Sequence, residues 1–300
     1  MEGSTTPDRD ALLAFELALD ERVIDEVRTE SWGRAFLTPS LPLIWDANWV
    51  GIEATGLPIE EVVAIADETL GGAGFAHRTV CALDEADGRR LGEAVEAEPA
   101  RWPGWEVERI RYMVWDGSAA EVPAVRSRLP VDSPGKCERP GVVSSQTSSD
   151  SDEKCERAGV REVRLAEIEG LRRALIEEEA APTGVEQPEA TVDQLFELNR
   201  RLGAAGGDRW FAAPAAGEPL SCCQLLRQDG IGQVEDVGTL AHARERGYAK
   251  AIVLAAVAAA RAAGDSTIFL TADAADWPQL MYARLGFETV GDLTVLRRRP

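Results

Sequence analysis

Residues 234–264 read VEDVGTLAHARERGYAKAIVLAAVAAARAAG, and the rest of the chain is organised around them. Val234 to Leu240 is an apolar strand and Ala241 to Arg246 a short turn. A long alanine-rich helix follows, opening on Arg244-Glu245-Arg246-Gly247-Tyr248-Ala249. A strand that turns tightly into a helix is an anion-binding design. The first backbone N–H groups of a helix have no intrahelical partner, and the macrodipole adds partial positive charge there, so main chain alone can hold a phosphate. Gly247 lets the backbone come close to a ligand, and Ala249 adds almost no bulk.

Composition bounds what surrounds this stretch. Three hundred residues, 45% of them hydrophobic, are enough for about two domains with a core each. The longest apolar run, Ala251 to Ala260, lies between Lys250 and Arg261 and is far shorter than the ~20 residues of a membrane span. The N-terminus, MEGSTTPDRD, lacks the apolar core of a secretory leader, so a cytoplasmic location is expected. A net charge of −20 argues against nucleic acid as a partner. It suits either solubility alone or attraction of a cationic acceptor such as an amine. Cys81, Cys137, Cys155, Cys222 and Cys223 are odd in number, form no CxxC pair and have only His77 and His242 for company. Neither a disulfide framework nor a metal site is expected.

Periodicity places the other elements. Leu12, Phe15, Leu19, Val23 and Val27 predict a helix over 8–30, and Pro58 to Leu70 and Glu85 to Glu98 two more. Strands are expected at Arg34 to Thr38, Trp49 to Glu53, Phe75 to Leu83 and Trp105 to Trp115. From about Gly117 to Gly159 the chain is rich in Ser, Pro and charge and poor in large apolar residues, which predicts a disordered or flexible linker at 118–159. Within it Lys136-Cys137-Glu138-Arg139 recurs as Lys154-Cys155-Glu156-Arg157, read as a short duplication. Beyond it come a strand at Val160 to Arg164, a helix carrying Leu165, Ile168, Leu171 and Leu175, and a helix from about Val192 to Leu202 stopped by Gly203. Trp210 to Ala213 and Leu220 to Arg227 read as strands, with a hairpin turn at Asp229-Gly230. A buried strand over Ser266 to Thr271, a helix over Trp277 to Leu285 and one or two strands over Phe287 to Arg297 close the chain.

Arg244, Gly247 and Ala249 match the pyrophosphate-binding signature of the Gcn5-related N-acetyltransferase (GNAT) family: Arg or Gln, two residues, Gly, one residue, then Gly or Ala. Tyr282, followed after two residues by Leu285-Gly286-Phe287, is a second family-like segment at the usual distance. The chain therefore resembles that family over 160–300. The resemblance implies an α+β fold, a mixed and mostly antiparallel central sheet flanked by helices. It also implies acetyl-CoA as co-substrate with no metal, and direct transfer of the acetyl group to an amine of a small molecule or protein. Gly104-Trp105-Glu106-Val107 mirrors Gly286-Phe287-Glu288-Thr289, which suggests a degenerate domain of the same kind at 1–117, without a cofactor turn.

In the family the strand ahead of the turn splays and pairs with the pantetheine arm through its backbone; here those positions are Val237, Gly238 and Thr239. Arg244, Glu245, Arg246, Gly247, Tyr248, Ala249 and Lys250 then wrap the pyrophosphate, with Glu245 an unfavourable acid beside it. Tyr282 stands where relatives keep a general acid for the departing thiolate; a phenol is protonated at neutral pH. For the base, Glu235 and Asp236 are expected on opposite faces of a strand, and Glu235, in line with Val237, is preferred. Gln233, where some relatives carry a base, cannot accept a proton, so a water chain is the alternative. Where relatives often have an Asn after the fifth strand, this chain has Asp273, Asp276 and Trp277-Pro278. His242 is read as an exposed loop residue, His77 as a structural hydrogen-bonder, and Cys222-Cys223 as non-nucleophilic. These departures keep a non-catalytic acyl-CoA sensor or interaction module open as a second function. A mycothiol synthase is a narrower option that no residue outside the cofactor turn supports.

Overall fold

The computed structural model describes residues 8–117, 159–180 and 188–300. The linker expected at 118–159, with Cys137 and Cys155, falls outside these apart from Gly159, as does the start of the N-terminus. Among the described residues no helix is long and apolar enough to cross a membrane.

The first helix, α1 (Arg9–Val23), is capped by Asp8, whose Oδ1 accepts from the Ala11 N–H at 3.0 Å. Leu12, Phe15 and Leu19 on its inner face are buried. The helix predicted over 8–30 is shorter than its apolar spacing suggests. It stops at Val23, and Glu26–Glu30 pair instead as strand β1 with β2 (Gly33–Leu37). The β-branched pair Val23-Ile24 ends the run: Ile24 is already extended, its N–H closing the helix on the Asp20 carbonyl. The strand β3 (Trp49–Ile52) leads through α2 (Ile59–Ala66) to β4 (Arg78–Ala82), then α3 (Glu85–Ala97) and β5 (Trp105–Trp115).

The second half repeats this alternation. A short strand β6 (Arg161–Val163) precedes helices α4 (Glu169–Ala180) and α5 (Pro188–Gly206). Gly203 does not stop α5, which runs one turn further; a helix-interior Gly costs only about 1 kcal/mol, which packing outweighs. Strands β7 (Trp210–Ala213), β8 (Ser221–Gln228) and β9 (Ile231–Thr239) follow, the last two joined at Asp229-Gly230, both with positive φ as a tight hairpin requires. Then come α6 (Tyr248–Ala262), β10 (Thr267–Asp273), α7 (Pro278–Arg284) and β11 (Phe287–Arg298). Apolar on every side, α6 is buried almost throughout, from Ala251 to Val257 and at Ala260.

The eleven strands of the described residues form one sheet in the order β1-β2-β3-β4-β11-β5-β10-β9-β8-β7-β6. Only β3 with β4 and β9 with β10 run parallel; the other neighbours are antiparallel. The fold is thus α+β with a mostly antiparallel sheet, but the halves do not build separate sheets. Strand β11 lies between β4 and β5, and β5 lies between β11 and β10, so each half inserts its last strand beside the other's penultimate one. The central pair β5·β11 runs from Trp105↔Arg298 to Trp115↔Phe287. Exchange removes two long edges that would otherwise present unpaired backbone. Helices α1, α4 and α5 cover one face; α2, α3, α6 and α7 cover the other.

Candidate active site

The strand β9 carries the site because its two edges behave differently. Towards β10 it pairs only at Ile231, Gly232 and Gln233, opposite Thr267, Ile268 and Phe269, and from Val234 onward that edge is open. Towards β8 the pairing slips between Cys222 and Gln224, and Asp236 sits at φ +53°, a left-handed conformation in a non-glycine residue. This is a β-bulge, which re-aims side chains. Asp236 is held there by Arg172, whose guanidinium donates to Asp236 Oδ1 and, at 2.7 Å, to Asn199 Oδ1. Asn199 Nδ2 closes the triangle on Asp236 Oδ2 at 2.7 Å.

The bulge corrects the expected alternation. Glu235 and Asp236 do not point to opposite faces; both line a cavity on the α1 and α5 side, together with Gln233. Val237 faces elsewhere, into a cleft of about 730 Å³ at the mouth of α6, so Glu235 and Val237 do not share a face. The strand changes sides between residues 236 and 237, where period-2 reasoning assumes a regular pleat.

That cleft gathers most of the residues singled out in the sequence. Val237, Gly238, Thr239, Arg244, Glu245, Gly247, Tyr248, Ala249, Lys250 and Tyr282 line it. Arg246 does not: its guanidinium turns back to donate to the His242 carbonyl at 3.1 Å. Asp276, Trp277 and Pro278 are there too, Trp277 62% exposed, whereas the Asp273 carboxylate accepts from the Ala275 N–H in its own turn. Gly247 is the N-cap of α6 at φ +82°, where any side chain would be strained. Among the described residues the N–H groups of Glu245 to Lys250 carry no hydrogen bond. Six consecutive backbone donors are thus left without a protein acceptor where α6 begins.

Sequence reasoning missed the wall contributed by α4. Leu175, Glu178 and Glu179 line the cleft. Glu178 accepts from the Ala241 N–H at 2.9 Å and stands 3.7 Å from Arg244. Burial, ahead of the charges around it, raises the Glu179 carboxyl. The amphipathic pattern of α4 marks Leu175 as apolar and inward, but nothing in it says that the next turn reaches the cofactor turn.

Glu235 sits in a proton-bearing network that spans both halves. Gln233 Nε2 donates to Glu235 Oε1 at 2.5 Å and to Glu16 Oε1 at 2.6 Å; Tyr112 donates to the other Glu16 oxygen. Burial, then the charges of Glu16 and Asp236, push Glu235 up to about 8. Burial also raises Glu16 to about 7, against the pull of Tyr112 and Gln233. Glu16 belongs to α1 and escaped the sequence reading, since a single acid on an amphipathic helix carries no signal. Tyr282, 6% exposed, has its phenol raised further by burial and by the nearby charge of Glu235. The histidines behave as expected: His77 is buried and bonded to the Asn48 carbonyl, and His242 is exposed. Cys222 and Cys223 are buried, which holds both thiols protonated.

A splayed strand, a bulge and a helix mouth of free amides follow one another within residues 231–250. The family model described as acetyltransferase (GNAT) family matches residues 172–287, which contain all three. Residues 172–287 thus carry a GNAT-family domain. No curated protein matches the sequence. Among solved structures, a functionally unknown conserved protein from Staphylococcus epidermidis ATCC 12228 superposes with TM-score 0.60 at 13% identity, over 93% of this chain and 95% of that one. A GCN5-related N-acetyltransferase from Kribbella flavida gives 0.55 at 18%, over 97% and 95%. A GCN5-related N-acetyltransferase from Sphaerobacter thermophilus gives 0.50 at 16%, over 80% and 68%. At such identities the likeness is one of fold, and for the first two it extends over both halves of the chain.

Proposed function

We propose that the chain is an N-acetyltransferase in which 160–300 bind acetyl-CoA and pass its acetyl group directly to an amine. The first half, 1–117, is read as a degenerate domain of the same ancestry that completes the sheet and closes the acceptor cavity. The observation that carries this reading is the open edge of β9 leading to six unbonded N–H groups at Gly247. A backbone edge suits the amide-bearing pantetheine arm as an added strand, and the helix mouth suits a diphosphate. Arg244 and Lys250 supply positive charge, offset in part by Glu178 and Glu245.

When bound, acetyl-CoA supplies an activated acyl group with a thiolate as leaving group. The chain's own residues must then take a proton from the acceptor amine and give one to sulfur. Glu235, held up near 8, takes the first at its carboxylate, and Gln233 fixes the orientation of that carboxylate. Tyr282, on the cleft side, is protonated throughout the neutral range and donates the second. Opposite approaches are built in, because Glu235 opens on one cavity and Tyr282 on the other. Release of free CoA thiol, followed with a panel of primary amines, tests the proposal. Acetyl-CoA binding without release by any amine would transfer support to the sensor reading.

A further inference from the structure

A second cavity, of about 390 Å³, lies between the sheet and the helices α1 and α5. Five carboxylates line it: Glu16, Asp20, Asp46, Glu235 and Asp236. Its two cations are already engaged, Arg172 with Asp236 and Arg297 with Asp46 and Glu108. Glu16 and Glu235 share Gln233. Asp20 alone of the five has neither a hydrogen bond nor an ion pair through its carboxylate among the described residues. Burial, then the charges of Glu16 and Asp46, raise its carboxyl well above the ordinary range, as befits a carboxylate lacking a counter-ion.

A second, independent observation points the same way. Thr79, 2% exposed, lines this cavity, and its Oγ1 has no hydrogen-bond partner. Strand alternation in β4 explains the direction: Thr79 and Cys81 face the cavity while Val80 and Ala82 enter the core beneath α2 and α3. A buried hydroxyl left unbonded is costly, and so is a carboxylate without a partner.

Building on the amine-acetylation reading above, we propose that the acceptor is a diamine: one amino group reacts beside Glu235, and a second, cationic one is held by Asp20 with Thr79. An ammonium has three donors and no acceptor, which fits two vacant acceptors on facing walls. Glu16 and Asp20 are one helical turn apart on α1, about 5–6 Å. Glu16 and Glu235 are separated by the single Gln233 bridge. The two amino positions are then on the order of 6–9 Å apart, matching a chain of about four to six methylenes with bonds near 1.5 Å. Leu13 and Leu17 of α1 and Leu195, Leu198 and Leu202 of α5 supply the apolar wall along which such a chain lies.

The test compares 1,5-diaminopentane with n-pentylamine, equal in length and shape but one charge poorer. In the native protein kcat/KM for CoA release is expected to favour the diamine by about tenfold to a hundredfold. Asp20→Asn should bring that ratio to about one, with melting temperature and CoA affinity measured alongside to show that the variant is folded. Equal rates for both amines in the native protein, or a preference that survives Asp20→Asn, would overturn the diamine site. If neither amine releases CoA, it is the acetylation reading that fails. Calorimetric titration of 1,5-diaminopentane into CoA-saturated protein then judges the cavity by itself: binding abolished by Asp20→Asn upholds it, while no binding, or binding indifferent to the substitution, sinks it.

Discussion

The mouths of α2 and α6 occupy equivalent places in the two halves, each following the strand that runs parallel to its neighbour. At α6 the preceding strand leaves its partner after Gln233, and six N–H groups stand free. At α2 the strand stays zipped: β3 pairs with β4 through Ile52↔Ala82, and the Leu83 N–H adds a further bond to the Ile52 carbonyl. The connection is also shorter, with Pro58 as N-cap, which has no N–H to offer. The Gly56 N–H is spent on the Asp87 carboxylate at 3.1 Å, an anion supplied by the protein itself. One topology therefore yields a ligand site or a closed joint. What decides is whether the parallel pair opens and whether the helix mouth keeps its donors.

The sharpest way to break this comparison is to put the same charge at both mouths. Gly247→Asp is expected to lower CoA affinity at least a hundredfold, since it sets a negative charge and a strained φ in the phosphate cradle, whereas Gly56→Asp should leave affinity unchanged. Calorimetry reads both; similar effects at the two mouths would erase the distinction. Next, the bulge exists only in the second half, and removing its anchor should be felt as stability. Arg172→Met leaves Asp236 without its cation, and a loss of about 3 kcal/mol in urea unfolding is expected.

Smaller effects concern the chemistry. Tyr282→Phe should reduce turnover by about tenfold to a hundredfold with CoA affinity within twofold, and equal turnover would remove Tyr282 from its role. A base must be ionised to act, so with Glu235 held near 8, kcat/KM should climb with pH and level off near that value. Glu235→Gln should flatten the profile as well as lower it. The same raised carboxyls make folding pH-dependent. Glu235 and Glu16 keep their protons in the native state up to about 8 and 7 but lose them near 4.5 when unfolded, so their contribution to stability is complete below 4.5 and declines as pH rises through 7 to 8. The melting temperature of Glu16→Gln should accordingly fall less than that of the native protein between pH 5 and 8. The smallest expected change is a gain: Glu178→Gln removes a negative charge beside the cradle while keeping an acceptor for the Ala241 N–H, and should tighten CoA binding two- to fivefold.

Local features of this site were legible in the sequence, and non-local ones were not. Gly247 announced a helix start where the backbone can approach a ligand, Asp229-Gly230 a hairpin, and Trp105 to Trp115 a strand whose bounds the structure reproduces. Each of these is decided within a few residues. The exchange of β5 and β11 is decided by residues about 180 positions apart, such as Ile110 and Leu293, and no local pattern distinguishes insertion from an ordinary edge. The bulge at Asp236 failed for a related reason: alternation gives each side chain a face only while the pleat holds, and the Arg172 and Asn199 partners that break it come from two other helices. Glu16 joins Glu235 only because α1 lies across the β5 and β10 region of the sheet, where Phe15 meets Phe269 edge to face at 5.4 Å.

Amide hydrogen exchange with and without CoA tests the central claim most directly, because it reports both helix mouths in one experiment. Protection is predicted at residues 245–250 and along 236–239, with residues 54–60 unchanged. Protection at 54–60, or none at 245–250 under saturating CoA, would contradict the account.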